Sequence, residues 1–98
     1  MNRYEVQYSK KAIKFTKKNR LIAIKFRKAF DELSENLSSH NRAQIIHKYD
    51  IKKYHDSEYN DIYRLRIGDY RAIFRVINQK LVILVIEIGA RGDIYKSE

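Results

Sequence analysis

The chain has 98 residues, 44% of them apolar and 12% aromatic, which suits one hydrophobic core and leaves little room for a second. The absence of cysteine excludes a disulfide framework, thiolate metal sites and a cysteine nucleophile. A formal net charge of +9 favours a polyanionic partner: nucleic acid, a membrane surface or an acidic protein.

The charge is unevenly spread. Residues 1–30 carry ten Lys/Arg against Glu5 alone, whereas residues 31–98 carry eleven of each sign. The whole excess is therefore N-terminal. Met1 to Lys18 is charged and lacks an apolar h-region, so no signal peptide is expected. The longest apolar run, Leu81 to Ile86, is strand-sized and far short of a bilayer span.

Tyr4 to Tyr8 alternates and predicts a short first strand. Ser9 suits an N-cap for a lysine-rich helix through Lys18, with Ala12, Ile13 and Phe15 available for burial. Asn19 marks a break. From Arg20 to Leu37, the residues Ile22, Phe26, Ala29, Phe30, Leu33 and Leu37 form one apolar stripe of a second, amphipathic helix. Ser38 to Asn60 is polar, and reads as a loop with one short strand anchored by Ile45, Ile46, Tyr49 and Ile51.

Asp61 to Ile67 and Tyr70 to Ile77 are β-rich runs joined by Gly68 and Asp69, a two-residue hairpin connection. A turn at Asn78 and Gln79 leads to the apolar strand at Leu81 to Ile86, expected to be central and covered on both faces. The order β-α-α-β-β-β predicts an α+β domain, with two N-terminal helices on one face of a mainly antiparallel sheet of about four strands.

A turn made of Gly68 and Asp69 alone fixes the register: Ile67 opposes Tyr70, Arg66 opposes Arg71, and Leu65 opposes Ala72. One face then carries Tyr63, Leu65, Ile67, Tyr70, Ala72, Phe74 and Val76, a core face for the helices. The other carries Arg64, Arg66, Arg71 and Arg75 among Ile62, Ile73 and Ile77. Opposed like charges on a sheet cost a fraction of roughly 1 kcal/mol, which an incoming anion would remove. Arg presents a planar donor fork matched to phosphate oxygens, and this choice at all four places favours phosphate contact. The plainer alternative is a solvated face whose arginines pair with Asp56, Glu58, Asp61 or Asp69. Lys10, Lys11, Lys14, Lys17, Lys18, Lys25 and Lys28 supply a sequence-independent field for RNA, or simply a solvated surface. His40, His47 and His55 show no metal-ligand spacing, and no metal is expected.

The segment "YRLRIGDYR" at 63–71, followed by Ile88, Gly89, Ala90, Arg91 and then Tyr95, resembles the RelE/ParE superfamily of bacterial toxins from type II toxin–antitoxin modules. The likeness extends over nearly the whole chain, and its closing Arg and Tyr are similar to the RelE branch, whose members cleave mRNA in the ribosomal A site without a metal. It implies a RelE/ParE-like domain over residues 1–98, a cytoplasmic location, no cofactor and no membrane contact. The partners it implies are a cognate antitoxin, the ribosome with its mRNA, and operator DNA reached only through the antitoxin complex. By motif, Arg64, Arg71, Arg91 and Tyr95 become the catalytic set, with Arg66 and Arg75 as RNA contacts. Ile62 stands where the family often places a lysine, and Ala90 where His or Lys usually precedes the terminal Arg.

Cleavage without a metal proceeds by attack of the 2′-oxygen on the adjacent phosphorus, and needs a base, an acid and cations for the phosphorane. Arginine does not deprotonate, so Arg71 and Arg91 are cast as charge stabilisers. Tyr95 is either a base, its phenolate favoured by clustered arginines, or a platform stacked on the target nucleobase. A third role for Tyr95 is packing on the sheet edge. Two other functions compete: a ParE-like toxin that inhibits DNA gyrase without nuclease activity, and a degenerate toxin active only within an antitoxin–DNA repressor complex. The apolar residues Ile62, Ile73 and Ile77 are expected to receive an antitoxin segment.

Overall fold

The computed structural model describes residues 3–54 and 59–90. The chain runs β1 (Glu5–Tyr8), α1 (Lys10–Lys18), α2 (Arg20–Asn36), α3 (Arg42–Lys48), β2 (Lys52–Lys53), β3 (Ile62–Ile67), β4 (Tyr70–Ile77) and β5 (Val82–Ala90). The expected α+β class stands, with a third helix added; β2 is the short strand expected between Ser38 and Asn60 and makes the fifth of the sheet. The sheet order is β1-β5-β4-β3-β2, parallel between β1 and β5 and antiparallel elsewhere.

Ser9 caps α1 as expected. Its extended backbone lets Oγ accept the Ala12 N–H at 3.1 Å while the hydroxyl donates to the Ile86 carbonyl. The start of α1 is thereby fixed to an irregularity in β5. Ile73 pairs with Glu87 and Phe74 with Val85, so Ile86 is the extra residue of a β-bulge. Asn19 ends α1 by donating both its backbone N–H and its Nδ2 to the Phe15 carbonyl, and contributes no side-chain cap to α2.

The α2 stripe buries Ala23, Phe26, Ala29, Phe30, Leu33 and Ser34 against Leu65, Ala72, Phe74, Ile83, Val85 and Ile88 of the sheet. Each large apolar side chain so removed from water contributes about 1.5–3 kcal/mol before chain entropy is counted. Of the residues offered by α1, Ala12 is buried and Phe15 half-buried, but Ile13 stays exposed. Ile13 follows Ala12 by about 100° around the helix and so turns off the buried face.

The stretch expected to be a loop contains α3. Its seven residues are too few for independent helix formation, and Ile45 and Ile46 are adjacent rather than a turn apart, so no helical period is visible. Contacts with α2 hold it: the Tyr49 hydroxyl donates to Glu32 Oε1 at 2.5 Å and Lys48 pairs with Glu32 at 3.1 Å. The Tyr49 hydrogen bond, with Lys48 beside it, holds the Glu32 carboxyl below its usual range. The four anchors expected in this stretch do face the core, with Ile51 buried and Ile45, Ile46 and Tyr49 packed at its margin.

β5 is longer than its apolar run. It omits Leu81, which occupies the turn with φ +54, and continues through Ala90. It lies between β1 and β4 and, among the described residues, helices cover one of its faces; on the other, Leu84 and Ile86 are half-buried.

Tyr8 meets Phe30 edge-on at 6.3 Å with the Arg27 guanidinium 5.5 Å from its ring. Burial pushes its phenol up to about 12, opposed in part by Arg27. The unfolded chain ionises Tyr8 near ~10, so this residue's contribution is complete below that pH and is lost as pH rises to about 12. Urea midpoints measured from pH 9 to 12 are expected to fall for the wild type and to fall less for Tyr8→Phe. Parallel curves would exclude Tyr8 as the source.

Candidate nucleic-acid interface

The hairpin has the register read from its turn: Ile67 pairs with Tyr70, Arg66 with Arg71, and Leu65 with Ala72. Gly68 adopts φ +57, the left-handed conformation that glycine enters without a Cβ penalty, so β3 reverses into β4 in two residues. Leu65, Ala72 and Phe74 consequently point into the helix-covered core, while Arg64, Arg66, Arg71 and Arg75 share the opposite face.

Two cross-sheet rows organise that face. Arg66, Arg71 and Gly89 form one, and Lys52, Arg64, Ile73 and Glu87 form the next. Arg71 is 3% exposed, and the side chains of Arg64 and Arg66 are 14% and 35% exposed. This is not a freely solvated surface. Arg66 and Arg71 face each other across the strands, as the two-residue turn requires.

The four arginines divide into different environments. Arg75 Nε donates to both carboxylate oxygens of Asp61 at 3.0 Å, and its guanidinium sits 4.5 Å from the Tyr59 ring centre. Arg75 is thus held by its own neighbours. Arg64 and Arg66 instead approach one carboxylate, Asp50, at 3.7 and 3.4 Å, too long for well-formed hydrogen bonds. Among the described residues, the buried Arg64 Nη1 and Arg66 Nε find no hydrogen-bond acceptor.

Of the four acids expected to neutralise this face, Asp61 takes Arg75, and Asp69 makes no ion pair among the described residues. Asp56 and Glu58 lie outside the described residues. Asp50 and Lys52 also belong to this face, although no sequence pattern marks them. Lys52 lies beside Arg64 in register and 3.9 Å from Asp50. A two-residue strand carries no alternation by which to recognise it, and Asp50 follows the cap of a helix that has no visible period.

Ile62 and Ile73 do not offer the expected seat for a partner segment. Both are buried in a small cluster with Tyr54 and Ile86, and only Ile77 stays half-buried at the strand end. Arg91 and Tyr95 lie outside the described residues; the last residue before them, Ala90, pairs with Tyr70 beside Arg71.

The lysines occupy the helix layer. Lys10, Lys14, Lys17, Lys18, Lys25 and Lys28 are exposed without an ion pair among the described residues, while Lys11 pairs with Glu87 at 3.2 Å. Through Lys11 and Glu87 the helix layer meets the edge of the arginine face at β5. The two basic regions approach each other at the hairpin end, where Lys17, Lys18 and Arg20 line an open hollow with Tyr70. Phe15 fixes that tyrosine by an edge contact at 5.8 Å.

The arginine face can bind and orient an anion, since it groups two guanidiniums and one ammonium around the Asp50 carboxylate. Among the described residues, no group of three or more His, Asp or Glu side chains is placed to hold a metal ion. No helix among them is long and apolar enough to cross a membrane.

The family model for the ParE toxin of the type II toxin–antitoxin system parDE matches residues 6–95. No curated protein sequence matches the chain. The fold is similar to RelE in the archaeal RelE–RelB complex of Pyrococcus horikoshii, with TM-score 0.72, 27% identity and coverage of 94% of this chain and 98% of that one. The Methanococcus jannaschii RelB–RelE complex gives TM-score 0.69 at 24% identity, covering 94% and 98% of the two chains. The isolated RelE toxin of E. coli gives 0.65 at 21%, covering 96% and 93%. With the family model spanning nearly the whole sequence and the same architecture in these toxins, the chain belongs to the ParE toxin family of type II toxin–antitoxin systems, within the RelE/ParE superfamily.

Proposed function

We propose that this toxin is a metal-independent endonuclease that cleaves mRNA on the ribosome and is neutralised by a cognate antitoxin. The observation that carries the reading is the gathering of Arg64, Arg66 and Arg71 on one sheet face, at the end from which β5 leads into Arg91. In this reading Arg64 and Arg66 grip the RNA backbone. Arg71 and Arg91 stabilise the charge that grows on the phosphorane as the 2′-oxygen attacks, giving a cyclic phosphate and a 5′-hydroxyl. Tyr95 takes the 2′-proton or stacks on the target nucleobase to hold the in-line geometry. The buried Ile62 has no cation to offer, and Lys52 supplies one on the next row beside Arg64.

The exposed helix lysines steer the toxin onto ribosomal RNA through its phosphate field. The relatives crystallised as RelE–RelB complexes support an antitoxin partner for this chain, and operator DNA would be reached only through that complex. Toeprinting on translating ribosomes is expected to show cleavage within the open reading frame after the toxin is added. The match to the ParE family model favours a second reading, gyrase inhibition. Intact mRNA together with loss of supercoiling by purified gyrase would select that reading instead.

A further inference from the structure

Asp50 sits where a carboxylate is locally unfavourable. The α3 helix ends in a Schellman arrangement: the Ile51 N–H donates to the Ile46 carbonyl at 2.9 Å and the Asp50 N–H to the His47 carbonyl at 3.2 Å. This geometry puts Asp50 in the left-handed region at φ 49, a position that glycine or asparagine fills more readily. A negative charge just beyond a helix C-terminus also opposes the partial charge of the terminal carbonyls. Neither feature helps to end the helix. What Asp50 does have is a location among three cations, with Lys52, Arg64 and Arg66 at 3.9, 3.7 and 3.4 Å.

Those contacts are incomplete. None is of hydrogen-bond length, and Arg64 Nη1 and Arg66 Nε have no acceptor among the described residues. A carboxylate on a short side chain, fixed by the helix terminus, does not reach into both forks. A phosphate has more acceptor oxygens and is free to settle between them. The Asp50 side chain is 39% exposed, so it can turn to solvent when an anion takes its place.

We infer that Asp50 is a built-in counter-anion of the Lys52, Arg64 and Arg66 cluster, occupying it in the unbound toxin and giving way to a backbone phosphate of RNA. This rests on the proposed RNA reading for the identity of the anion. The carboxylate offsets one of the three positive charges of the cluster when no RNA is present. Its displacement subtracts from binding energy, so Asp50 sets an upper limit on affinity and damps the response to salt.

The test is binding of a single-stranded RNA oligonucleotide with 2′-O-methyl groups, which cannot be cleaved, followed by fluorescence anisotropy at several salt concentrations. Asp50→Asn retains a residue suited to the left-handed backbone and is expected to bind about 3- to 10-fold more tightly, with a steeper salt dependence. Asp50→Gly, equally suited to that backbone, is expected to tighten binding in the same way. Asp69→Asn makes the same change in net charge on an exposed residue that forms no ion pair among the described residues, and is expected to have a smaller effect. In an Arg66→Ala background the gain from Asp50→Asn is expected to shrink, since part of the cluster is gone.

Unchanged or weaker binding by both Asp50 variants, with native melting temperatures, overturns the inference. So does an equal gain from Asp69→Asn. If Arg66→Ala weakens binding while the Asp50 variants change nothing, the inference fails and the RNA reading survives. If none of these variants alters binding, both fail.

Discussion

Arg71→Ala is expected to reduce mRNA cleavage on translating ribosomes by about 10²- to 10³-fold, the loss typical of removing one preorganised group that stabilises transition-state charge. Three features single Arg71 out from the other arginines of the hairpin. It is the most buried, at 3% exposure, so its field is screened least by water. It lies in the central row of the face, between Arg66 and Gly89. It also lies one residue from Tyr70, which pairs with Ala90 just before Arg91. Arg71→Lys keeps the charge and loses the planar fork, so it is expected to recover only part of the activity. In cells, expression of the wild type without antitoxin is expected to arrest growth, and expression of Arg71→Ala is not. Full cleavage by an Arg71→Ala protein with a native melting temperature would remove this residue from the mechanism.

The hairpin was legible because its constraints are local. Two residues between alternating runs permit one favoured register, and that register assigns every β3 and β4 side chain to a face. The helix stripe from Phe26 to Leu33 was legible for a similar reason, since a 3.6-residue period repeats over several turns. What escaped depends on contacts distant in sequence. The α3 helix exists because Tyr49 and Lys48 find Glu32 on α2, a partner that no local pattern indicates. Asp50 inherits its place from the end of that helix, so its approach to Arg64 and Arg66 was equally invisible. Arg75 looked like the other three arginines until Asp61 and Tyr59 were seen to hold it. Residue type and alternation therefore identified the basic face, whereas the separation of Arg75, held by Asp61 and Tyr59, from Arg64 and Arg66, grouped on Asp50, required the tertiary structure.

The largest stability effect is expected at Phe30. Its ring is fully buried between Phe74, edge-on at 5.2 Å, and Tyr8 at 6.3 Å, so it joins α2 to both β4 and β1. Truncation to alanine removes the buried ring and leaves a cavity that the rigid sheet beneath cannot close, at a cost of about 3–5 kcal/mol. Total stabilities of small domains are about 5–15 kcal/mol, so Phe30→Ala is expected to populate the unfolded chain measurably at ambient temperature. Leu21→Ala on the same helix provides the contrast. Leu21 is 83% exposed, and its truncation is expected to shift stability by no more than about 0.5 kcal/mol. The arginine rows depend on the strand register that the helix layer secures from the opposite face, so loss of Phe30 also removes RNA binding in proportion to the unfolded fraction. Urea unfolding of the two variants checks the claim: similar midpoints for Phe30→Ala and Leu21→Ala would contradict the assignment of α2's buried stripe as the main support of the sheet.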